Sequence, residues 1–254
     1  MSCVITCFKS VVDENDISIG SDQSVSFQRA QRKISDYEKN VIEAGNQLAG
    51  KLGADHVCLT FAPEGVSQQI KDALSRGPVE AVIVEDANAE AMTAQTTGKV
   101  LAAAIKNKGD VVCVICGDGS SDVYQKQTGA RVAAVLGWPY IGNAMDIEPD
   151  GDALLITQKA DGVTRQLRVK TPCVIAGLPE LAEAKTPGMR DILAAKKKQQ
   201  STFSLADLGV SPEGNVVAED PKGFVMERKN VMLEGTPEEA VAALVDSLKK
   251  EGVL

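Results

Sequence analysis

The sequence predicts an α/β fold: a doubly wound, mostly parallel sheet with an antiparallel extension and a C-terminal arm. Two observations carry this. Short apolar runs alternate with helix-periodic segments through the first half of the chain, as expected for strands buried on both faces by crossover helices. Past Pro139 that alternation stops, and Asp-Gly turns divide longer runs, the pattern of antiparallel hairpins.

Residues 3–8 (CVITCF) form an apolar run suited to a buried first strand. Over 36–52, Tyr37, Val41, Ala44, Leu48 and Leu52 fall on one helical face, with Ser35 or Asp36 as the N-cap. Strand 56–61 (HVCLTF), helix 66–76, strand 80–85 (EAVIVE), helix 89–107 and strand 111–115 (VVCVI) follow. The stretch CGDGSSDVYQKQTGARVAAVLGWP, Cys116 to Pro139, completes the alternation with a glycine-rich turn and a further helix. Each crossover is expected to be right-handed.

Residues 140–147, 152–158 and 163–170 read as strands divided by Pro149-Asp150-Gly151-Asp152 and Asp161-Gly162, and 172–176 (PCVIA) returns to the main sheet. From Leu178 the chain is loop-like, with a short helix near 188–198. Residues 199–235 show little periodicity. An amphipathic helix covers about 237–250, with Thr236 as its cap and Pro237 at its first position. Residues 1–198 are therefore read as the α/β domain and 199–254 as an extended arm. A lone helix with one apolar face cannot bury itself, so the arm is expected to pack on another chain.

A length of 254 residues suffices for one large domain, or one domain with a tail. Apolar residues make up 44% and charged residues 24%, as in ordinary globular proteins. No apolar run approaches the ~20 residues that span a bilayer, so no membrane insertion is expected. The N-terminus reads as a first strand instead of a signal peptide, and the expected location is the cytoplasm. A net charge of −8 argues against a nucleic-acid partner. Cys3, Cys7, Cys58, Cys113 and Cys173 sit inside apolar runs and Cys116 closes one, as small buried residues in a reducing compartment do. Cys113 and Cys116 have the spacing of a redox or metal motif, but residues three apart on a strand point to opposite faces. His56 is the only histidine, so no His-metal cluster can be built. A hydrolytic triad would have to rest on it alone.

In open α/β sheets, ligands sit beyond the carboxyl ends of the strands. Four ends are in play: Cys7-Phe8-Lys9, Phe61-Ala62-Pro63, Glu85-Asp86, and Cys116 onward. In 117–129 the glycines permit tight turns. The serines, Thr128 and the free N–H groups at a helix start are donors for phosphate. The same residues also fit a tight connection capped by Ser121 or Asp122, and the residues alone leave both readings open. Gly117-Asp118-Gly119 is not a dinucleotide fingerprint, because position 122 is Asp where G-x-G-x-x-G needs glycine; no P-loop occurs either. Asp118 and Asp122 lack a partner base, metal cluster or nucleophile for acid–base work. They suit sugar hydroxyls or loop-shaping hydrogen bonds better.

The stretch Gly117 to Asp122, then Gln127-Thr128-Gly129 and a helix ending Leu136-Gly137-Trp138-Pro139, resembles the β (small) subunit of electron transfer flavoproteins. Cys7-Phe8-Lys9-Ser10-Val11-Val12-Asp13 and Ile34-Ser35-Asp36-Tyr37-Glu38 before Val41-Ile42-Glu43-Ala44 are similar to that family in the same order. So are Asp72 to Gly77, Lys170 to Ile175, and Ile192 to Lys198. The resemblance runs from about residue 3 to the C-terminus. The G-D-G-S-S-D and L-S-R-G-P forms look closest to the branch tied to anaerobic carnitine and acyl-CoA metabolism.

The resemblance implies a Rossmann-like, adenine-nucleotide-binding fold in a heterodimer. The α subunit would carry most contacts to an FAD, and the β subunit would hold AMP or a second FAD. Carried over, the β-subunit pocket comprises Cys7; the turn Ser35, Asp36, Tyr37, Glu38; and Phe61. Its loop is Gly117, Asp118, Gly119, Ser120, Ser121, Asp122, Val123, Tyr124, Gln125, Lys126, Gln127 and Thr128, with phosphate against Gln127 and Thr128. The 35–38 turn lacks the family's usual Asn-Pro, and Val123 and Tyr124 stand where small or acidic residues are usual, which leaves AMP versus FAD open. Loop 178–191 corresponds to the loop that docks on an acyl-CoA-type dehydrogenase or related flavoprotein, with Met189 at its apolar anchor. On this reading the chain holds no metal, and no side chain acts as acid, base or nucleophile, because the flavin carries the redox chemistry. The rival readings are an adenine-nucleotide-hydrolysing domain and an adenosine-sensing one.

Overall fold

The computed structural model describes residues 2–254 apart from 215, 218, 220 and 225–227. Leaving aside two-residue strand pieces and single 3₁₀ turns, the chain begins β1 (Cys3–Cys7), β2 (Ser10–Val12), β3 (Arg32–Ile34) and α1 (Asp36–Leu52). It continues β4 (Asp55–Ala62), α2 (Ser67–Ser75), β5 (Glu80–Glu85), α3 (Ala94–Lys108), β6 (Val111–Gly117) and α4 (Thr128–Leu136). Then come β7 (Tyr140–Asp150), β8 (Ala153–Ala160), β9 (Val163–Lys170), β10 (Cys173–Gly177), α5 (Met189–Ala195), β11 (Gln199–Ser204) and α6 (Pro237–Lys250).

A nine-stranded sheet runs in the order β9-β8-β7-β10-β6-β1-β4-β5-β11. Its ladders are parallel from β7 through β10 to β11 and antiparallel between β7, β8 and β9. The predicted fold class is therefore the observed one. Side chains alternate across the sheet. Cys3, Ile5, Leu59, Val84 and Cys116 pack with Val100, Leu101 and Ile105 of α3 and Val132 of α4. On the other face, Val4, Cys113 and Ile115 meet Val41 and Leu48 of α1, while Cys58, Ala81 and Ile83 meet Ile70 and Leu74 of α2. Cys113 and Cys116 thus lie on opposite faces, and all six cysteines are buried and free.

Three details differ from the sequence reading. The segment 89–107 is not one helix: a 3₁₀ turn at Ala89–Ala91 precedes α3, and Thr93 caps α3 by accepting the N–H of Thr96. Pro149 does not break β7. It pairs with Leu154 of β8 where β7, past Ala144, has a neighbour on one side only, and an unpaired edge tolerates the missing N–H. Residues 199–204, read as part of the arm, form β11 beside β5. Their sequence, QQSTFS, offers no apolar run because this edge strand is half exposed.

The chain divides into two compact units, residues 1–18 with 26–220, and residues 19–25 with 221–254. The sheet and α1–α5 belong to the first. In the second, α6 begins as predicted, with the Thr236 hydroxyl accepting the N–H of Glu239 and Pro237 in its first turn. It buries none of its residues within this chain, and Val241 and Leu244 are exposed.

Candidate functional site

The chain leaves β1 for β4 and β5 on one side and returns to β6 on the other. The strand order therefore reverses between β1 and β6, where a crevice forms beyond the carboxyl ends. A cleft of about 580 Å³ opens there. It brings together Cys7, Glu38, Phe61, Gly117 to Val123 and Gln125 to Thr128. The strand end Glu85-Asp86, expected to contribute, does not line it. Val12, Ile17, Phe27, Met92, Leu101 and Val216 line it as well. Sequence reasoning missed these residues because no local pattern tells that β2 pairs with β3 or that Met92 and Leu101 line the same cleft.

Ser35, Asp36, Tyr37 and Tyr124 are not in the lining. Ser35 sits at the N-cap of α1 but makes no side-chain cap; its hydroxyl accepts the N–H of Ser121 at 3.1 Å and so ties the loop to the helix start. Asp36 pairs with Lys33 at 3.1 Å and Lys39 at 2.6 Å. The Tyr37 ring lies 5.2 Å from that of Tyr124. Tyr124 is in turn covered by Lys126, 4.8 Å from the ring centroid, whose Nζ is 2.7 Å from Asp118 Oδ2. Tyr124 and Lys126 have positive φ, 45° and 56°, so the loop doubles back and lays the Tyr124 ring on Gly119. A Cβ on Gly119 would be 2.2 Å from Tyr124 Cδ2.

Lys9 Nζ lies 2.5 Å from Asp122 Oδ2, and Ser120 Oγ donates to the same carboxylate. Burial works to raise the Asp122 pKa, but Lys9 and Ser120 bring it below the usual carboxylate value. Each aspartate thus faces its own lysine, and the two do not form a proton-sharing pair. The Cys7 thiol is held well above its ordinary pKa by its hydrogen bond with Cys116 and by burial, so it stays protonated.

The capped-turn reading requires Ser121 or Asp122 to cap α4, yet Gln127 occupies the N-cap position and makes no side-chain cap bond. Three buried oxygens of the cleft residues make no hydrogen bond: Ser121 Oγ and Glu38 Oε2, which have no partner of any kind, and Asp118 Oδ2, which has only its ion pair with Lys126. Native proteins rarely strand such atoms without a role. An uncapped helix start with unpartnered oxygens fits a polar, phosphate-bearing ligand.

His56 is not part of the cleft. It is buried in β4; Nδ1 donates to Asn46 Oδ1 at 2.5 Å, and Nε2 accepts from the Thr6 hydroxyl at 2.8 Å. Burial lowers its pKa to about 3. Burial raises that of Glu38 to about 8. From an ordinary value of 6.5 down to about 3, unfolding binds a proton at His56, so stability falls as pH falls. From 4.5 up to about 8, unfolding releases a proton from Glu38, so stability falls as pH rises. Each slope reaches about 1.4 kcal/mol per pH unit, and the two cancel between pH 4.5 and 6.5. Urea midpoints are expected to plateau there and decline on both sides. Glu38→Gln is expected to abolish the alkaline decline and to replace the plateau with a rise that continues to about pH 6.5, because the His56 contribution is then uncancelled.

Met189 opens α5 and is 73% exposed, with Ile192 and Leu193 exposed beside it. The preceding loop is pinned to α1: Asn40 Nδ2 donates to the carbonyls of Pro179 and Ala182, and Lys185 pairs with the buried Glu43 at 2.6 Å. Lys198 turns inward, donating to the carbonyls of Leu74 and Gly77.

The family model described as the Electron transfer flavoprotein domain matches residues 24–208. The chain belongs to the electron transfer flavoprotein family. The matched span takes in α1, the cleft loop, the 178–191 loop, α5 and β11. Flavin is the cofactor of this family. Among the described residues no helix is long and apolar enough to cross a membrane, and no cluster of His, Cys, Asp or Glu suited to a metal occurs.

Proposed function

We propose that the chain is the β (small) subunit of a heterodimeric electron transfer flavoprotein of the carnitine and acyl-CoA type, acting in the cytoplasm. It holds AMP or a second FAD in the cleft, while an α subunit carries most contacts to the electron-carrying FAD. The observation that carries this reading is the cleft at the strand reversal, with its uncapped α4 start and two unpartnered oxygens, in a chain of this family. When bound, the flavin supplies the redox chemistry. This chain's residues bind and orient. Thr128, Gln127 and the first N–H groups of α4 hold phosphate, and Ser35 fixes the loop through Ser121. Asp118 and Asp122 keep Lys126 and Lys9 in place. The exposed apolar face of α6 packs on the α subunit. Met189 inserts into an acyl-CoA dehydrogenase or related flavoprotein, as a flexible apolar side chain suits a hydrophobic pocket.

An adenine-nucleotide hydrolase is disfavoured by the same geometry, because Asp118 and Asp122 are each paired with a lysine, Cys7 is protonated and His56 is buried away from the cleft. Copurification with the α subunit is expected to give a yellow complex that releases FAD plus AMP, or two FAD, on denaturation. A colourless complex that turns over ATP would refute the reading. Met189→Asp is expected to weaken electron exchange with the partner dehydrogenase about tenfold or more while leaving the nucleotide content unchanged, as steady-state dye reduction would report.

A further inference from the structure

Ser35-Asp36-Tyr37-Glu38 has the form of a capping box, in which the serine hydroxyl would take the N–H of residue 38 and the glutamate the N–H of residue 35. Neither half forms. The Ser35 hydroxyl accepts from Ser121 instead, and the Ser35 N–H donates to the Lys9 carbonyl at 3.0 Å. Released from that role, the Glu38 side chain lies against Gly117 on the cleft wall, 7% exposed, with Oε2 buried and unpartnered.

The groups around it do not supply a counter-ion. From the end of β1, Lys9 attracts the carboxylate, but Lys9 is engaged by Asp122, which repels it. Cys7 on β1 is a protonated thiol hydrogen-bonded to Cys116 of β6. Asp118 and Lys126 of the same loop form an ion pair with each other. On its own helix, the Ser35 hydroxyl and the Glu38 N–H offer the charged form some support, and Asp36 is paired with Lys33 and Lys39. A buried carboxyl in such a setting keeps its proton.

Resting on the nucleotide reading above, we propose that Glu38 is a protonated acid whose Oε2 hydroxyl donates a hydrogen bond to an acceptor atom of the bound adenine nucleotide. Ionisation of Glu38 removes the donor and places a negative charge beside an anionic ligand, so binding is lost. Burial sets the transition at a pKa of about 8.

The test titrates AMP, and in parallel FAD, calorimetrically into the full-length protein in its heterodimer. It covers pH 7 to 9.5 in buffers of different ionisation enthalpy, where a phosphomonoester is already doubly charged. Affinity is expected to be about tenfold lower at pH 9 than at pH 7, with close to one proton taken up per nucleotide at pH 9. Glu38→Gln, which keeps a donor and cannot ionise, is expected to bind as the wild type does at pH 7 and to show neither the decline nor the uptake. Binding by the wild type that is flat in pH and takes up no proton overturns the role of Glu38 and leaves the nucleotide reading standing. Failure of both AMP and FAD to bind at any pH overturns the nucleotide reading itself, and this inference with it.

Discussion

Replacing Gly119 with alanine is expected to weaken nucleotide binding by at least about tenfold, roughly 1.4 kcal/mol. The new Cβ would lie 2.2 Å from Cδ2 and 2.4 Å from Cε2 of Tyr124, so the ring must leave. With it go the contact to Tyr37 and the seat of Lys126. Tyr124 and Lys126 hold positive φ, a conformation that survives only where surrounding contacts over-determine it. Without them the loop relaxes and carries Ser121 and Gln127 away from the position that faces the cleft. The nucleotide retained by the purified complex, and dialysis against labelled AMP, report the effect. Adding Tyr124→Ala should restore part of the affinity, since it removes the clash. Wild-type binding by the single variant would show that the Tyr124 ring is not the brace of this loop.

Gly45→Ala is expected to be the most destabilising of the simple substitutions, by about 2–4 kcal/mol. Helix propensity alone favours alanine over glycine in the middle of α1 by about 1 kcal/mol, so the predicted sign opposes the local rule. The reason lies across the helix–sheet contact. A Cβ at position 45 would sit 2.4 Å from Thr6 Cγ2 and 2.6 Å from His56 Nε2. Both atoms are fixed, because Thr6, His56 and Asn46 form one hydrogen-bonded chain that continues from Asn46 Nδ2 to the Arg76 carbonyl at 2.5 Å. Pushing α1 outward breaks that chain and leaves buried polar atoms unpaired. The urea midpoint at pH 6 is the measurement, and a Gly45→Ala protein more stable than wild type would contradict the close approach.

Elements with a local periodic signal were legible. The bounds of α1, β5 and α6 match the sequence expectation closely, since each has one apolar face or a continuous apolar run and its own end signals. Elements whose signal is supplied by a distant partner were not. β11 needs β5 to exist as a strand, and the ladder beside the cleft residue Val12 needs β2 and β3 to find each other across about twenty residues. The site was half legible. Positions 117–128 announce themselves as glycines and hydroxyls before a helix, but nothing local distinguishes a capped turn from a cradle.

The sequence by itself determined the layered α/β architecture, the faces of the helices and the glycine-rich turn that leads into α4, because hydrophobic periodicity and turn chemistry act over a few residues. Only the tertiary structure decided that Ser35 and Glu38, written as a capping box, are diverted to the cleft loop and the cleft wall. It also decided that Glu85-Asp86 stays outside the cleft and that His56 is a buried packing residue. These outcomes depend on which strand lies beside β1, and on competition among hydrogen-bond partners that meet only when segments about a hundred residues apart are packed together.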